Sequence, residues 1–179
     1  MRRKEGSIAP YFSAVNTDGA LFDLATPRNK PLLLAFFRYA SCPLCNLRVH
    51  ELISRRKELE EVVEIVLVFQ SPTDKIAKYV GKQEVPYRII PDPERYLYRL
   101  YGVESSWAGF AKAWSIEIAR VFQAVIAKGY LPGTVEGEIH RIPADFIIDT
   151  QGKIVRAYYG KDIGDHMPVE AIFEAAKDA

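Results

Sequence analysis

Apolar residues along this chain gather into short unbroken runs separated by stretches of helical periodicity. Leu32–Phe37 and Val62–Phe69 are almost free of polar side chains. Such runs suit strands buried on both faces of a sheet. Tyr87–Ile90, Phe146–Asp149 and Lys153–Tyr159 predict three further strands, the last two joined at Gln151-Gly152 as an antiparallel pair. Nearer the start, Ala9–Val15 and Leu21–Leu24 flank Asp18-Gly19, a dipeptide whose positive φ suits a hairpin turn.

Between the runs the period changes from two to nearly four. Val49, Leu52, Ile53 and Leu59 recur among Arg48, Glu51, Arg55, Arg56, Lys57 and Glu58, which predicts an amphipathic helix after the first buried strand. Shorter helices are expected over Lys75–Val80, ended by Gly81, over Glu94–Tyr101, stopped at Gly102, and over Pro168–Ala176. Residues 105–128 carry the longest helical signal. Trp107, Phe110, Trp114, Ile118, Val121 and Val125 form one stripe, widened by Ala111, Phe122 and Ile126. The stripe reads as core, with a lid beside the cysteines or a homodimer face as the functional alternatives. Residues 129–137, with Pro132-Gly133, read as an irregular loop. Strands alternating with helices predict an α/β domain with a central mixed sheet flanked by helices.

Composition narrows the class. With 179 residues, 49% of them hydrophobic, the chain is expected to form a single domain spanning residues 1–179. Its 24 basic and 23 acidic side chains leave a net charge of +1. That balance gives no electrostatic case for nucleic acid or an anionic membrane as a partner. The basic start Arg2-Arg3-Lys4 is followed by no apolar segment of the signal-peptide kind, and no apolar run approaches the length of a membrane span. A cytoplasmic location is the expectation.

The chemistry concentrates in Cys42-Pro43-Leu44-Cys45, which holds both cysteines of the chain. Cys42 falls where a buried strand hands over to a helix, so free backbone N–H groups and the helix dipole favour an anion there. Its thiolate is expected to form below the free-cysteine pKa of about 8.5. Cys45 follows one turn later. Two structural cysteines or half of a zinc site are the alternatives, but there is no second CxxC, and His50, His140 and His166 are scattered without ligand spacing. A redox pair is the preferred reading.

Four stretches together resemble the redoxin branch of the thioredoxin superfamily, and among its members the peroxiredoxin-like proteins that carry CxxC and are related to the alkyl hydroperoxide reductase/thiol-specific antioxidant group. They are Ala9-Pro10-Tyr11-Phe12 with Asp18-Gly19 and Leu24; Phe36-Phe37-Arg38-Tyr39-Ala40-Ser41-Cys42-Pro43-Leu44-Cys45; Ile90-Pro91-Asp92-Pro93 through Tyr101-Gly102-Val103; and Pro143 through Ile154. The resemblance implies a thioredoxin-like fold with an N-terminal hairpin and an inserted long helix at about 105–128. It implies a thiol-dependent oxidoreductase in which Cys42 attacks a peroxide or a disulfide, Cys45 resolves the product as a disulfide, and an external thiol reductant restores both. No cofactor or metal is implied.

The chain also departs from the pattern. Ala35 stands where peroxiredoxins usually carry proline, Tyr39 where they carry threonine or serine, and Pro143 where they carry a catalytic arginine. Pro143 instead resembles the cis-proline facing CxxC in thioredoxins, while Phe36 replaces the thioredoxin buried aspartate. Arg38 and Arg141 are the candidates to stabilise the thiolate or polarise a peroxide, and Tyr39 to donate a hydrogen bond. His50, about two helical turns beyond Cys42, is too distant to act as a base. A thiol-disulfide oxidoreductase without peroxidase activity is the alternative, followed by a metal-binding thioredoxin-fold protein.

Overall fold

The computed structural model describes residues 1–116, 125, 129 and 133–179. Five strands form the central sheet: β3 (Leu32–Phe36), β4 (Glu64–Phe69), β5 (Arg88–Pro91), β6 (Ala144–Ile148) and β7 (Ile154–Tyr159), in the order β5-β4-β3-β6-β7. β3, β4 and β5 run parallel, whereas β6 is antiparallel to β3 and β7 to β6. β1 (Ser13–Val15) and β2 (Leu21–Asp23) form the separate N-terminal hairpin around the Asp18-Gly19 turn.

The apolar runs occupy the middle of this sheet. All five residues of β3 and all five of β6 are buried. Their side chains alternate between two cores, as the pleat requires. Leu33, Ala35, Leu67, Phe69 and Ile147 face one core, shared with Cys42, with Cys45, Val49 and Leu52 of α1 (Pro43–Ser54), and with Ile172 of a C-terminal helix. Leu32, Leu34, Phe36, Val66, Val68 and Phe146 face the other, closed by Phe12, Phe22, Leu97, Tyr98 and Tyr101. Each such large apolar side chain contributes about 1.5–3 kcal/mol when removed from water. The Tyr98 hydroxyl donates to the carbonyls of Phe37 (2.6 Å) and Val68 (3.0 Å), tying the second core to the chain just before the cysteines.

The helix predicted across residues 43–59 is broken in two. α1 ends at Ser54, Arg55 leaves the helical region (φ −103°, ψ 15°), and α2 (Arg56–Val62) restarts at an angle that buries Leu59. α3 (Thr73–Tyr79) and α4 (Tyr96–Tyr101) lie where expected. Asp92 starts α4, its carboxylate accepting the N–H groups of Tyr96 (2.9 Å) and Leu97 (2.8 Å). Gly102 ends it at φ +67°; a Cβ there would collide with the Met1 carbonyl. α5 spans Trp107–Ile116 and α6 Val169–Lys177. Most of the stripe predicted beyond residue 116, and with it the proposed homodimer face, lies outside the described residues. The core reading of the stripe fails at its first member: Trp107 is 65% exposed. Its indole lies flat on the His140 ring, with centroids 4.2 Å apart.

One buried ion-pairing site lies on the α1 side of the sheet. Asp145 in β6 is 1% exposed, and its carboxylate meets His166 Nδ1 at 3.0 Å and accepts the Met167 N–H at 2.7 Å. Burial alone would raise this carboxyl; the adjacent His166 and the hydrogen bonds hold it below the usual value. A carboxylate depressed in the folded state contributes stability above its unfolded pKa of about 3.9, and loses it as pH falls through the lower folded value. Asp145→Asn should therefore cost about 3–5 kcal/mol at neutral pH, because it removes the buried charge and sets an amide NH2 against the donors of His166 and Met167. Urea unfolding checks this, and the gap from the parent chain should narrow below about pH 4.

Candidate active site

The redox turn starts from the carboxyl end of the central strand. Beyond β3, the Phe37 N–H still donates to Val68 O (2.8 Å), and Arg38 O accepts the Gln70 N–H (3.1 Å). The Cys42 N–H then closes a turn onto Tyr39 O at 3.0 Å. Cys42 has extended dihedrals (φ −67°, ψ 120°) and is the N-cap of α1, with Pro43 in the first turn. Proline suits that position because it removes an N–H that would have no helical partner and fixes φ at a helical value.

A cysteine at an N-cap turns its sulfur towards the exposed N–H groups of the first turn. The Cys45 N–H donates to Cys42 Sγ at 3.4 Å. Arg38 Nη1 donates to the same sulfur at 3.2 Å. Burial of Cys42, which is 1% exposed, would by itself push the thiol up. The hydrogen bond from Cys45, the Arg38 guanidinium and the backbone N–H groups of Cys45 and Leu44 outweigh it and bring the thiol down to about 6, from an ordinary value of 9.0. Cys45 moves the other way: burial raises it first, and the anionic Cys42 sulfur it donates to raises it further. The pair is thus split into one sulfur that ionises early and one that keeps its proton. Both are free thiols in this structure.

Arg38 is itself held on three sides. Its second terminal nitrogen donates to the carbonyl of Ile139, and its Cζ lies 5.0 Å from the centre of the Tyr39 ring. Its Nε is buried without a hydrogen-bond partner among the described residues. Burial would lower this guanidinium, but the charge on Cys42 outweighs that and raises it, so it stays cationic. Tyr39 is buried, and its phenol is pushed up by burial and then by the neighbouring Cys42 charge, which leaves it protonated.

Of the other predicted residues, Arg141 is buried but turned elsewhere. It donates to Val103 O at 2.6 Å, pairs with Glu138 at 3.2 Å and lies over the Tyr98 ring. The choice between the two arginines therefore falls on Arg38. The cis-proline expected at Pro143 is not found: among the described residues no peptide bond is cis. The trans isomer is the ordinary one for an X-Pro bond, and the flanking groups are paired: the Ile142 N–H donates to Glu104 O at 3.2 Å and the Pro143 carbonyl accepts the Gly160 N–H at 3.0 Å. His50 is half-buried on α1, while His140 and His166 are engaged by Trp107 and Asp145.

Asn46 was not singled out in the sequence, yet it braces the turn. Its amide nitrogen donates to Ala40 O (2.7 Å) and Cys42 O (3.0 Å), and its Oδ1 accepts from Gln83 at 2.9 Å. The signal available was a polar residue on the inward side of α1, directly after Cys45. Asn46→Ala should strand the Ala40 carbonyl, while Cys42 O keeps the backbone N–H of residue 46 at 3.0 Å, and cost about 1–3 kcal/mol, measurable by chemical denaturation.

Residues 6–157 match the model of the AhpC/TSA family. A putative peroxiredoxin Bcp of Haemophilus influenzae is 26% identical over 163 residues, covering 90% of this chain and 89% of that protein. Peroxiredoxin Bcp of Escherichia coli is 24% identical over 167 residues, covering 93% and 92%. Among solved structures, peroxidoxin BcpB of Mycobacterium tuberculosis superposes with a TM-score of 0.69 at 17% identity, over 98% of this chain and 97% of that one. A putative thiol:disulfide interchange protein DsbE of Chlorobium tepidum gives 0.65 at 18% identity, over 97% of each chain.

Proposed function

We propose, for a chain that belongs to the AhpC/TSA family and with it is a thiol-dependent peroxidase, that Cys42 is the atom that attacks the peroxide and Cys45 the one that resolves it. The observation that supports this reading best is the opposed ionisation of two neighbouring thiols, with the Cys45 N–H and a buried guanidinium both donating to the sulfur of the first.

The Cys42 thiolate displaces one oxygen of the peroxide. An S–O bond forms, the O–O bond breaks, the sulfur is oxidised to a sulfenic acid and the leaving hydroxide takes a proton to become water. Arg38 already donates to the sulfur through Nη1, and its partnerless buried Nε is a second donor on the same planar group for the oxygen that gains charge. Tyr39, protonated beneath the guanidinium, keeps the cation in place and excludes water. Cys45 then attacks the sulfenic sulfur. A Cys42–Cys45 disulfide forms, water leaves, and the Cys45 proton goes with it. An external thiol reductant supplies the two electrons that reopen the bond.

The burial of both sulfurs weighs against a protein disulfide as the oxidising substrate, which is the second reading. Mass spectrometry after one equivalent of hydrogen peroxide distinguishes them. The parent chain should lose two hydrogens as the internal disulfide closes, while Cys45→Ser should gain one oxygen at Cys42 and stop there. Oxidation of Cys42 no faster than that of free cysteine, alongside rapid exchange with a small disulfide, would transfer the assignment to thiol-disulfide exchange.

A further inference from the structure

Cys42 is 1% exposed although it sits at the end of the sheet, where the connecting loops open to solvent. Residues 133–139 close that end. Ser41, beside the nucleophile, donates to Thr134 O at 2.7 Å. Ser71 accepts the Ala40 N–H at 2.8 Å and donates its hydroxyl to Glu136 Oε2 at 2.8 Å. Gln70 exchanges two hydrogen bonds with the Glu138 backbone, and Arg38 reaches the Ile139 carbonyl with the arm that does not touch sulfur. The fit is close. Gly137 takes φ +73°, and a Cβ there would stand 2.8 Å from Gln70 Cδ.

We propose that residues 133–139 are a size-selecting cap on Cys42, which makes the site selective for hydrogen peroxide over bulky organic hydroperoxides and protein disulfides. The cap has no regular secondary structure and is joined to the turn through side-chain hydrogen bonds. Segments held that way open at low free-energy cost, without global unfolding. A molecule little larger than water reaches the sulfur through small fluctuations. A bulky reagent reacts only in proportion to the fraction of time the cap is open. Reduction of the Cys42–Cys45 disulfide by a protein thiol falls under the same rule, so the cap opens once per turnover. The selectivity rests on the reading of Cys42 as the peroxide nucleophile; the gating of access does not.

Two substitutions loosen the cap from its own side and leave the sheet and the cysteines untouched. Glu136→Ala removes the bond to Ser71, and Gly137→Ala puts a Cβ against Gln70 in a backbone region that favours glycine. Stopped-flow oxidation of Cys42 by hydrogen peroxide and by cumene hydroperoxide should differ by about 100-fold in the parent chain, and the cumene hydroperoxide rate should rise about tenfold in either variant while the hydrogen peroxide rate changes by less than about threefold. Alkylation by iodoacetamide and by a bulky aromatic maleimide gives the same ratio without any peroxidase step. If alkylation shows the size ratio but peroxide reacts slowly, the peroxidase reading falls and the cap stands. Equal rates for small and bulky reagents in the parent chain, or an unchanged ratio in variants that melt like the parent, would overturn the cap.

Discussion

Cys42→Ser should abolish peroxide consumption, with a loss of at least about 1,000-fold in turnover, the scale on which removing a covalent nucleophile acts. Serine fits the site, since the hydroxyl can accept the same Cys45 N–H that the sulfur accepts. The variant should therefore fold with little change in unfolding midpoint and fail only in chemistry. Its alkoxide is far too basic to form at neutral pH, so the advantage given to an anion at this N-cap goes unused. Coupled consumption of hydrogen peroxide with an excess of small dithiol reads the effect. Turnover within tenfold of the parent would place the nucleophile elsewhere.

Arg38→Met should give the second largest effect, and its pH dependence separates two roles. Methionine approximates the length of the arginine stem and keeps the site filled while removing the cation. Without the charge and the Nη1 hydrogen bond, the Cys42 thiol, now at about 6, should move up by at least about one unit, roughly 1.4 kcal/mol of lost thiolate stabilisation. At pH 7 the peroxide reaction should slow by about 100-fold, combining less thiolate with loss of a donor to the departing oxygen. Raising the pH well above the new midpoint restores the thiolate but not the donor. The deficit that survives at high pH measures polarisation of the O–O bond alone. Arg38→Lys should recover part of the charge effect and little of the fork, because an ammonium cannot reach the sulfur and a second acceptor in one plane.

The contrast between Arg38 and Arg141 shows where sequence reading stops. Both border apolar runs, and proximity in sequence to Cys42, four residues beyond Arg38, is the only local difference. Whether each guanidinium reaches the sulfur is tertiary: Arg38 does, whereas Arg141 is drawn towards Glu138 and Val103 O. The strands were legible because apolar runs this pure have few places to go but the middle of a sheet, and the cysteine pair because a strand-to-helix handover creates the same backbone electrostatics in any context.

Other features depended on distant partners. Asp145 lay just ahead of the strand expected from Phe146 and was not singled out, because the histidine that gives it a role arrives from residue 166. The isomer at Pro143 is not written in sequence pattern, because an X-Pro bond has access to both forms and only the fold selects one. The segment after residue 133 looked like an irregular loop, because glycines and glutamates carry no periodicity. Its meaning appears only when Ser41, Gln70 and Ser71 are seen beneath it. Trp107 illustrates the reverse error: helical spacing suggested a core position, yet the start of α5 projects to solvent and the indole stacks on His140 instead.

The most direct measurement is the pH dependence of Cys42 alkylation by iodoacetamide, a reagent small enough to enter, with the modified residue assigned by mass spectrometry. A thiol lowered in the fold is anionic above its midpoint and protonated below it, so the rate should climb through about pH 6 and be level at neutral pH, with Cys45 unreactive throughout. A single rise near the ordinary cysteine value of 9.0, or Cys45 reacting first, would contradict the account.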